Sequence, residues 1–251
     1  MPRDRTRAVV RAAFPRRRSR IAVTRTSAEF AELFRTNFID AAILDMAAPN
    51  DDVWRAAALA RDFPSIPFFA LTPLRTADAP IVARCFTLDF ADVVVEHVDD
   101  SVLRDLVAPH TFTHRFQRAL AQPPAVLGLD TALRRAVWHR LVAHAGRSVR
   151  TDEIAAALGM SREHLSRTFA ADGTANLKRT IDLVRLLAAA ELAKNPGYDV
   201  GDVARVLGFA SSSHLSTASQ RICGTKPASL ARLRAVDIIE RFAQGRLRSR
   251  P

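Results

Sequence analysis

Two short stretches of this 251-residue chain carry side chains suited to gripping a polyanion. In the first, Thr151 to Phe169, Ile154 and Leu158 give one helix an apolar face, and Ala155 is small enough for a second helix to cross closely. Gly159 suits the left-handed conformation of a tight turn. Ser161 then offers an N-cap oxygen to the second helix, whose Leu165 and Phe169, spaced i and i+4, pack back on the first. Arg162, Glu163, Ser166 and Arg167 are left facing outward. A guanidinium gives charge-assisted hydrogen bonds to phosphates and base edges, and short polar groups can serve either, so such a helix end has the chemistry of a major-groove reader. A plain helical hairpin would share the small residue, the glycine and the cap.

A second copy separates these readings. About fifty residues on, Val203-Ala204 match Ile154-Ala155, Leu207-Gly208 match Leu158-Gly159, and Leu215 matches Leu165 with one extra residue in the turn. Leu177 to Lys194 reads as one long helix between the copies, roughly 27 Å at about 1.5 Å per residue. With its flanking turns it would set the two reading helices about one 34 Å turn of DNA apart, so that both could enter successive major grooves.

With this repeat in view, Leu129 to Arg234 resembles the AraC/XylS family of bacterial transcription regulators. Arg185-Leu186 followed by Ala189 and Leu192 look like that family's R-L-x-x-A-x-x-L stretch, and Val203-Ala204, Gly208-Phe209 and Gly224-Thr-Lys-Pro227 resemble its I-A, G-F and G-x-x-P punctuation. The resemblance implies DNA contacts from Arg162, Glu163, Ser166 and Arg167 in the first unit. In the second it implies Ser211, Ser212, Ser213, His214, Ser216 and Thr217. Three positions depart from the pattern: Ser219 replaces an aromatic anchor, Thr217 a basic residue, and Ala231 a frequent Arg. The second reading helix is therefore expected to be less firmly packed and almost uncharged, with Arg221 at its far end, and the first unit to dominate affinity, Arg167 foremost. His214 reads equally as a contact or as a packing residue beside Leu215.

The remaining candidates are weaker. Asp45 ends an apolar run, Pro49 follows four residues later, and Thr72 ends the next run, so the stretch is similar to a shortened response-regulator receiver domain. Phosphoryl transfer to a carboxylate needs further acids to hold a metal and a cation to steady the phosphoryl group. No acidic pair follows an earlier strand, and Glu96-His97 stand where the receiver pattern has Lys-Pro, so Asp45 reads as a strand-end cap rather than a phosphoacceptor. His110 and His114 are i and i+4 without the intervening Glu of a zinc-protease helix and read as surface residues. Nucleophile elbows and phosphate-binding glycine loops are missing from a chain with only nine glycines, so no catalytic residue, metal or cofactor is expected.

The elements that must position these residues fall into two sets. β-like runs at Ile21–Thr24, Ala41–Leu44, Pro67–Leu71 and Asp92–Val95 alternate with helical patterns at Ala28–Arg35, Val53–Arg61 and Ala79–Phe86, with Ser101–Val107 following, which implies a mainly parallel sheet covered on both faces. After Phe112–Ala121, the prolines of Gln122-Pro123-Pro124 mark a linker, and helices follow at Leu133–Ala145, Asp152–Leu158, Arg162–Ala170, Leu177–Lys194, Val200–Leu207, Ser212–Ile222 and Ala228–Phe242. Charge divides likewise: +7 over residues 1–20, −7 over 21–109 and +11 over 110–251. A basic domain is drawn to DNA by counterion release, and an acidic one is repelled. Arg3 to Arg20 and Arg246 to Arg250 read either as nonspecific phosphate contacts or as solvated tails. Cys85 and Cys223 read as buried free thiols.

The sequence thus predicts an Arg-rich segment at 1–20, with a short helix from Ala8 stopped at Pro15, and a receiver-like α/β regulatory or dimerisation domain with a short parallel sheet at 21–109. A linker at 110–128 leads to an all-α domain at 129–236 with two helix-turn-helix units joined by a long helix, and a helix end with a basic tail occupies 237–251. The expected function is sequence-specific, phosphorylation-independent transcription regulation by a cytoplasmic protein that is no enzyme, with double-stranded DNA, RNA polymerase and a second copy of the chain as partners and no membrane. The alternatives are a response regulator phosphorylated on Asp45 and a helical module that binds protein.

Overall fold

The computed structural model describes residues 2–17, 19–171 and 175–248. Arg18 and the side chains of residues 246–250 lie outside the described residues, and so does the reading of the basic tail as phosphate contacts or solvated chain. The chain divides into two units, Met1–Arg115 with Asn195–Gly197, and Phe116–Lys194 with Tyr198–Pro251.

The first unit holds α1 (Asp4–Ala13), α2 (Ser27–Thr36), β1 (Ala42–Asp45), α3 (Asp51–Ala58) with a 3₁₀ turn at Leu59–Arg61, β2 (Phe68–Thr72), α4 (Ala79–Thr87), β3 (Asp92–Val95) and α5 (Leu103–Val107). The strands form one parallel sheet in the order β1-β2-β3, with Asp45 beside Leu71 and Thr72 beside Val95. Because side chains alternate along a strand, central β2 feeds both faces and is buried throughout. Phe69 and Leu71 join Val94, Leu103 and Val107, against which Val9, Val10 and Ala13 of α1 pack. Phe68 meets Phe34 and Phe30 of α2 at ring distances of 5.6 and 6.0 Å. Burying each such ring is worth about 1.5–3 kcal/mol.

Two local expectations are corrected. Ile21–Thr24 is no strand: it has no pairing partner, and Val23 stays 43% exposed, so its apolar residues never acquired the inward face that holds a strand in register. The N-terminal helix begins at Asp4 rather than Ala8.

The second unit is helical: α6 (Phe112–Ala119, which straddles the division), α7 (Ala132–Ala143), α8 (Thr151–Ala157), α9 (Arg162–Phe169), α10 (Leu177–Leu192), α11 (Val200–Val206), α12 (Ser212–Cys223) and α13 (Ala235–Arg248). α10 stops two residues short of the expected end and is buried along nearly its whole length. Gly146, at φ +77°, lets the α7–α8 connection lie against it, for a Cβ there would fall 2.1 Å from that of Ala188. The expected helix Ala228–Phe242 is two elements, a 3₁₀ turn at Pro227–Arg232 and then α13, because Leu233 is extended (φ −95°, ψ 137°) and Asp237 accepts the Arg234 N–H to start a new helix. No described helix is long and apolar enough to cross a membrane.

Candidate nucleic-acid interface

The first helix pair is built as its residues dictate. Ile154 and Ala155 of α8 and Leu165 and Phe169 of α9 are buried, while Leu158 is only half-buried. Gly159 takes φ +67°, and the Ser161 hydroxyl accepts the His164 N–H at 3.2 Å, opening α9 with a capped first turn. At the other end of α9, Arg134 of α7, almost fully buried, donates to the Phe169 carbonyl at 3.1 Å and also to that of Ala171. A cation at a helix C-terminus matches the partial negative charge there.

The second pair repeats this design with different supports. Asp199 caps α11 by accepting the Asp202 N–H at 2.7 Å, Gly208 again takes φ +67°, and Ser211 accepts the His214 N–H at 3.1 Å. Val203, Ala204, Leu207, Leu215, Ala218 and Ile222 form the buried seam. Arg185, projecting from α10, donates to the carbonyls of Leu207 and Gly208 at 3.2 and 3.0 Å and lies 3.8 Å over the Phe209 ring. Burial pushes this guanidinium below its ordinary pKa, against the opposing pull of Asp182. The expectation of loose packing at Ser219 is overturned. The residue is fully buried, and its hydroxyl donates to the Thr225 carbonyl at 2.7 Å, so a hydrogen bond to the following turn takes the place of an apolar anchor.

Around these frames, Arg162, Glu163, Arg167, Ser211, Ser212, Ser213, His214, Ser216 and Thr217 are exposed, and Ser166 is half-exposed. Arg167 reaches the Nδ1 of His164 at 3.2 Å, and the exposed His214 meets Phe209 edge-on at 5.7 Å. The structure brings Arg162, Ser166 and His214 to one cleft of about 650 Å³, floored by α10. Arg221, expected at the far end of the second reading helix, lines the same cleft, as do Arg150 and Lys178, which were not singled out from the sequence. Lys178 and Arg179 open the long helix as an adjacent cationic pair, which was the available signal.

In the first unit Asp45 is not an open carboxylate. Thr6 donates to it at 2.8 Å, and Arg3 donates to it from both its backbone N–H and its guanidinium, each at 2.8 Å. Arg3 also ion-pairs with the buried Glu96 just after β3, and Arg5 pairs with Glu96 and Asp100. Burial works to raise the Asp45 pKa, but the hydrogen bonds from Arg3, Thr6 and the Ala47 N–H outweigh it and hold the carboxyl below its ordinary range. Asp45 therefore belongs to an internal ion-pair cluster, with its cation drawn from the chain start. Thr72, at the end of β2, is fully buried. His110 and His114 are exposed, with His110 edge-on to Phe69 at 6.0 Å. Both cysteines are buried free thiols, and burial pushes Cys85 up to about 11.

Residues 154–232 match the family model of a helix-turn-helix domain of the AraC type. The matched segment runs from α8 to the 3₁₀ turn after α12, and so takes in both helix pairs and the helix between them. No curated protein and no solved structure matches the chain. The C-terminal part carries an AraC-like helix-turn-helix domain, and DNA binding in transcription regulation is the coarse function it gives this chain.

Proposed function

We propose that the protein is a sequence-specific transcription regulator that reads one duplex with two helix-turn-helix units, α8–α9 and α11–α12. Base and phosphate contacts come from Arg162, Glu163, Ser166 and Arg167 in α9, and from Ser211 with Ser212, Ser213, His214, Ser216 and Thr217 in α12. One observation carries this reading: two helices opened by the same serine cap, each exposing polar side chains, border a single cleft along α10. The bound segment is then a stretch of duplex presenting two successive major grooves.

The α/β part, residues 21–109, is a receiver-like regulatory or dimerisation domain that signals without phosphorylation and is followed by a linker at 110–128 and the DNA-binding domain at 129–236. Arg3 and Thr6 already engage the Asp45 oxygens, and Glu96 stands where a phosphate-steadying cation would be needed, which supports phosphorylation independence. A second copy of the chain and RNA polymerase are its protein partners.

Selection of duplexes from a random-sequence pool by the full-length protein tests the reading. Enriched sequences should contain two short blocks spaced about one helical turn, 10–10.5 base pairs, apart. A pool that emerges at low salt indistinguishable from its input rejects DNA reading and favours a protein-binding helical module. Incubation with acetyl phosphate and magnesium should leave the intact mass unchanged, whereas an adduct lost in Asp45→Asn would restore the phosphorylated alternative.

A further inference from the structure

Seven charged side chains and one histidine line the cleft between α9, α10 and α12, and most of them are already engaged. Arg150 pairs with Asp152 at 3.0 Å, Arg221 pairs with Asp182, and Arg185 is taken up by the carbonyls of Leu207 and Gly208 and by Phe209. Two cations are left over. Arg162 on α9 and Lys178 on α10 are exposed, and among the described residues neither side chain has a hydrogen bond or ion pair. Val149, Leu177 and Ile181 add apolar surface to the same lining. A concave wall whose two acids are both paired and whose Arg162 and Lys178 keep their charges open is built for an anion supplied from outside.

We infer that this cleft seats the phosphodiester backbone of the DNA strand that crosses between the two major grooves, with Lys178 and Arg162 as its cations. The inference rests on the two-headed reading above and adds to it a site on α10, which belongs to neither reading helix. If α9 and α12 enter successive grooves of one duplex, the backbone separating those grooves must pass over whatever lies between the helices, and the cleft lies there. A strand carries one phosphate about every 3.4 Å of helix axis, so a backbone crossing the cleft presents more than one phosphate to its lining. Such contacts fix position and register without reading sequence. Lys178 therefore contributes affinity that is the same for every base at the centre of the site.

The test measures binding of the full-length protein to a duplex enriched by that protein from a random pool, across 50 to 200 mM salt. Each phosphate contact contributes about −0.9 to the slope of log K against log salt. Lys178→Gln should flatten the slope by about one contact, so that its affinity falls about 3.5-fold less than the parent's over that range. Lys178→Arg should keep the parent slope, and the sequence preferences of both variants should be unchanged. A matching thermal unfolding midpoint verifies that Lys178→Gln is folded, and Lys178→Met, which removes the same charge at this exposed position, tests the same point if it is not. A parent slope retained in Lys178→Gln, with binding intact, overturns the phosphate seat and leaves the two-headed reading standing. A parent protein that binds no duplex at 50 mM salt removes both.

Discussion

The guanidinium of Arg185 lies 3.8 Å over the ring of Phe209 while donating to the carbonyl of the residue before it, Gly208, at 3.0 Å. The long helix α10 thereby grips the turn of the second helix pair from beneath. Phe209 in turn meets His214 in the first turn of α12, so the chain of contact runs from α10 to the exposed end of α12. Arg185 is a positioning residue for the second pair.

Replacing Arg185 by Met should leave the Leu207 and Gly208 carbonyls without their donor at a largely buried place, costing about 1–3 kcal/mol in denaturant unfolding. Lysine should not rescue it fully, because an ammonium cannot stack flat on Phe209 while forking to two carbonyls. In footprints on an enriched duplex, protection of one half-site should weaken and the other should persist. Equal weakening of both halves would mean that Arg185 supports the whole domain rather than one pair.

Arg167 is exposed on α9 and braced by His164 at 3.2 Å. Arg167→Ala should weaken binding to an enriched site by about 1–3 kcal/mol and relax preference at one base position. Unchanged affinity, measured by fluorescence anisotropy, would remove Arg167 from the interface.

Ser219 is fully buried and hydrogen-bonded to Thr225. Ser219→Ala should lower stability by about 0.5–1.5 kcal/mol through the lost bond. Ser219→Phe should destabilise by about 1–3 kcal/mol, because the close packing of α12 leaves no room for a ring. A stabilised phenylalanine variant in chemical denaturation would show that the seam has space the structure does not reveal.

Asp45 has a folded pKa held below its unfolded value, so its contribution to stability is fully present above about 3.9, the unfolded value, and is lost as pH falls through the folded pKa. Stability should change little through this group between pH 7 and 5 and should fall in the acid range below. Arg3→Met, which removes the guanidinium from Asp45 and Glu96, should lower neutral-pH stability and flatten that acid decline. Parallel acid profiles for parent and variant, followed by circular dichroism, would deny the coupling.

Local chemistry was legible wherever one or two turns of chain decide the outcome. The glycines at 159 and 208 take the left-handed conformation expected at such turns, and Ser161 caps α9 as expected, whereas the matching cap by Ser211, read from the sequence only as a DNA contact, came from the structure. Apolar periodicity placed β1, β2 and β3 within a residue or two. It failed at Ile21–Thr24, because whether an apolar run becomes a strand depends on a partner elsewhere in the chain. It also ran two elements together after Pro227, where one extended residue at Leu233 divides them.

By itself the sequence determined the class of the molecule: where the chain is acidic and where basic, the order of most of its helices, and which helix ends carry polar side chains. Only the tertiary structure joined residues across long separations, as when Arg3 supplies the cation for Asp45 forty-two residues away, or when Arg162, Lys178 and His214 come to line one cleft. The division has one physical cause. Capping and backbone conformation depend on near neighbours, whereas charge pairing and concavity depend on distances that exist only once each unit has packed on its own core.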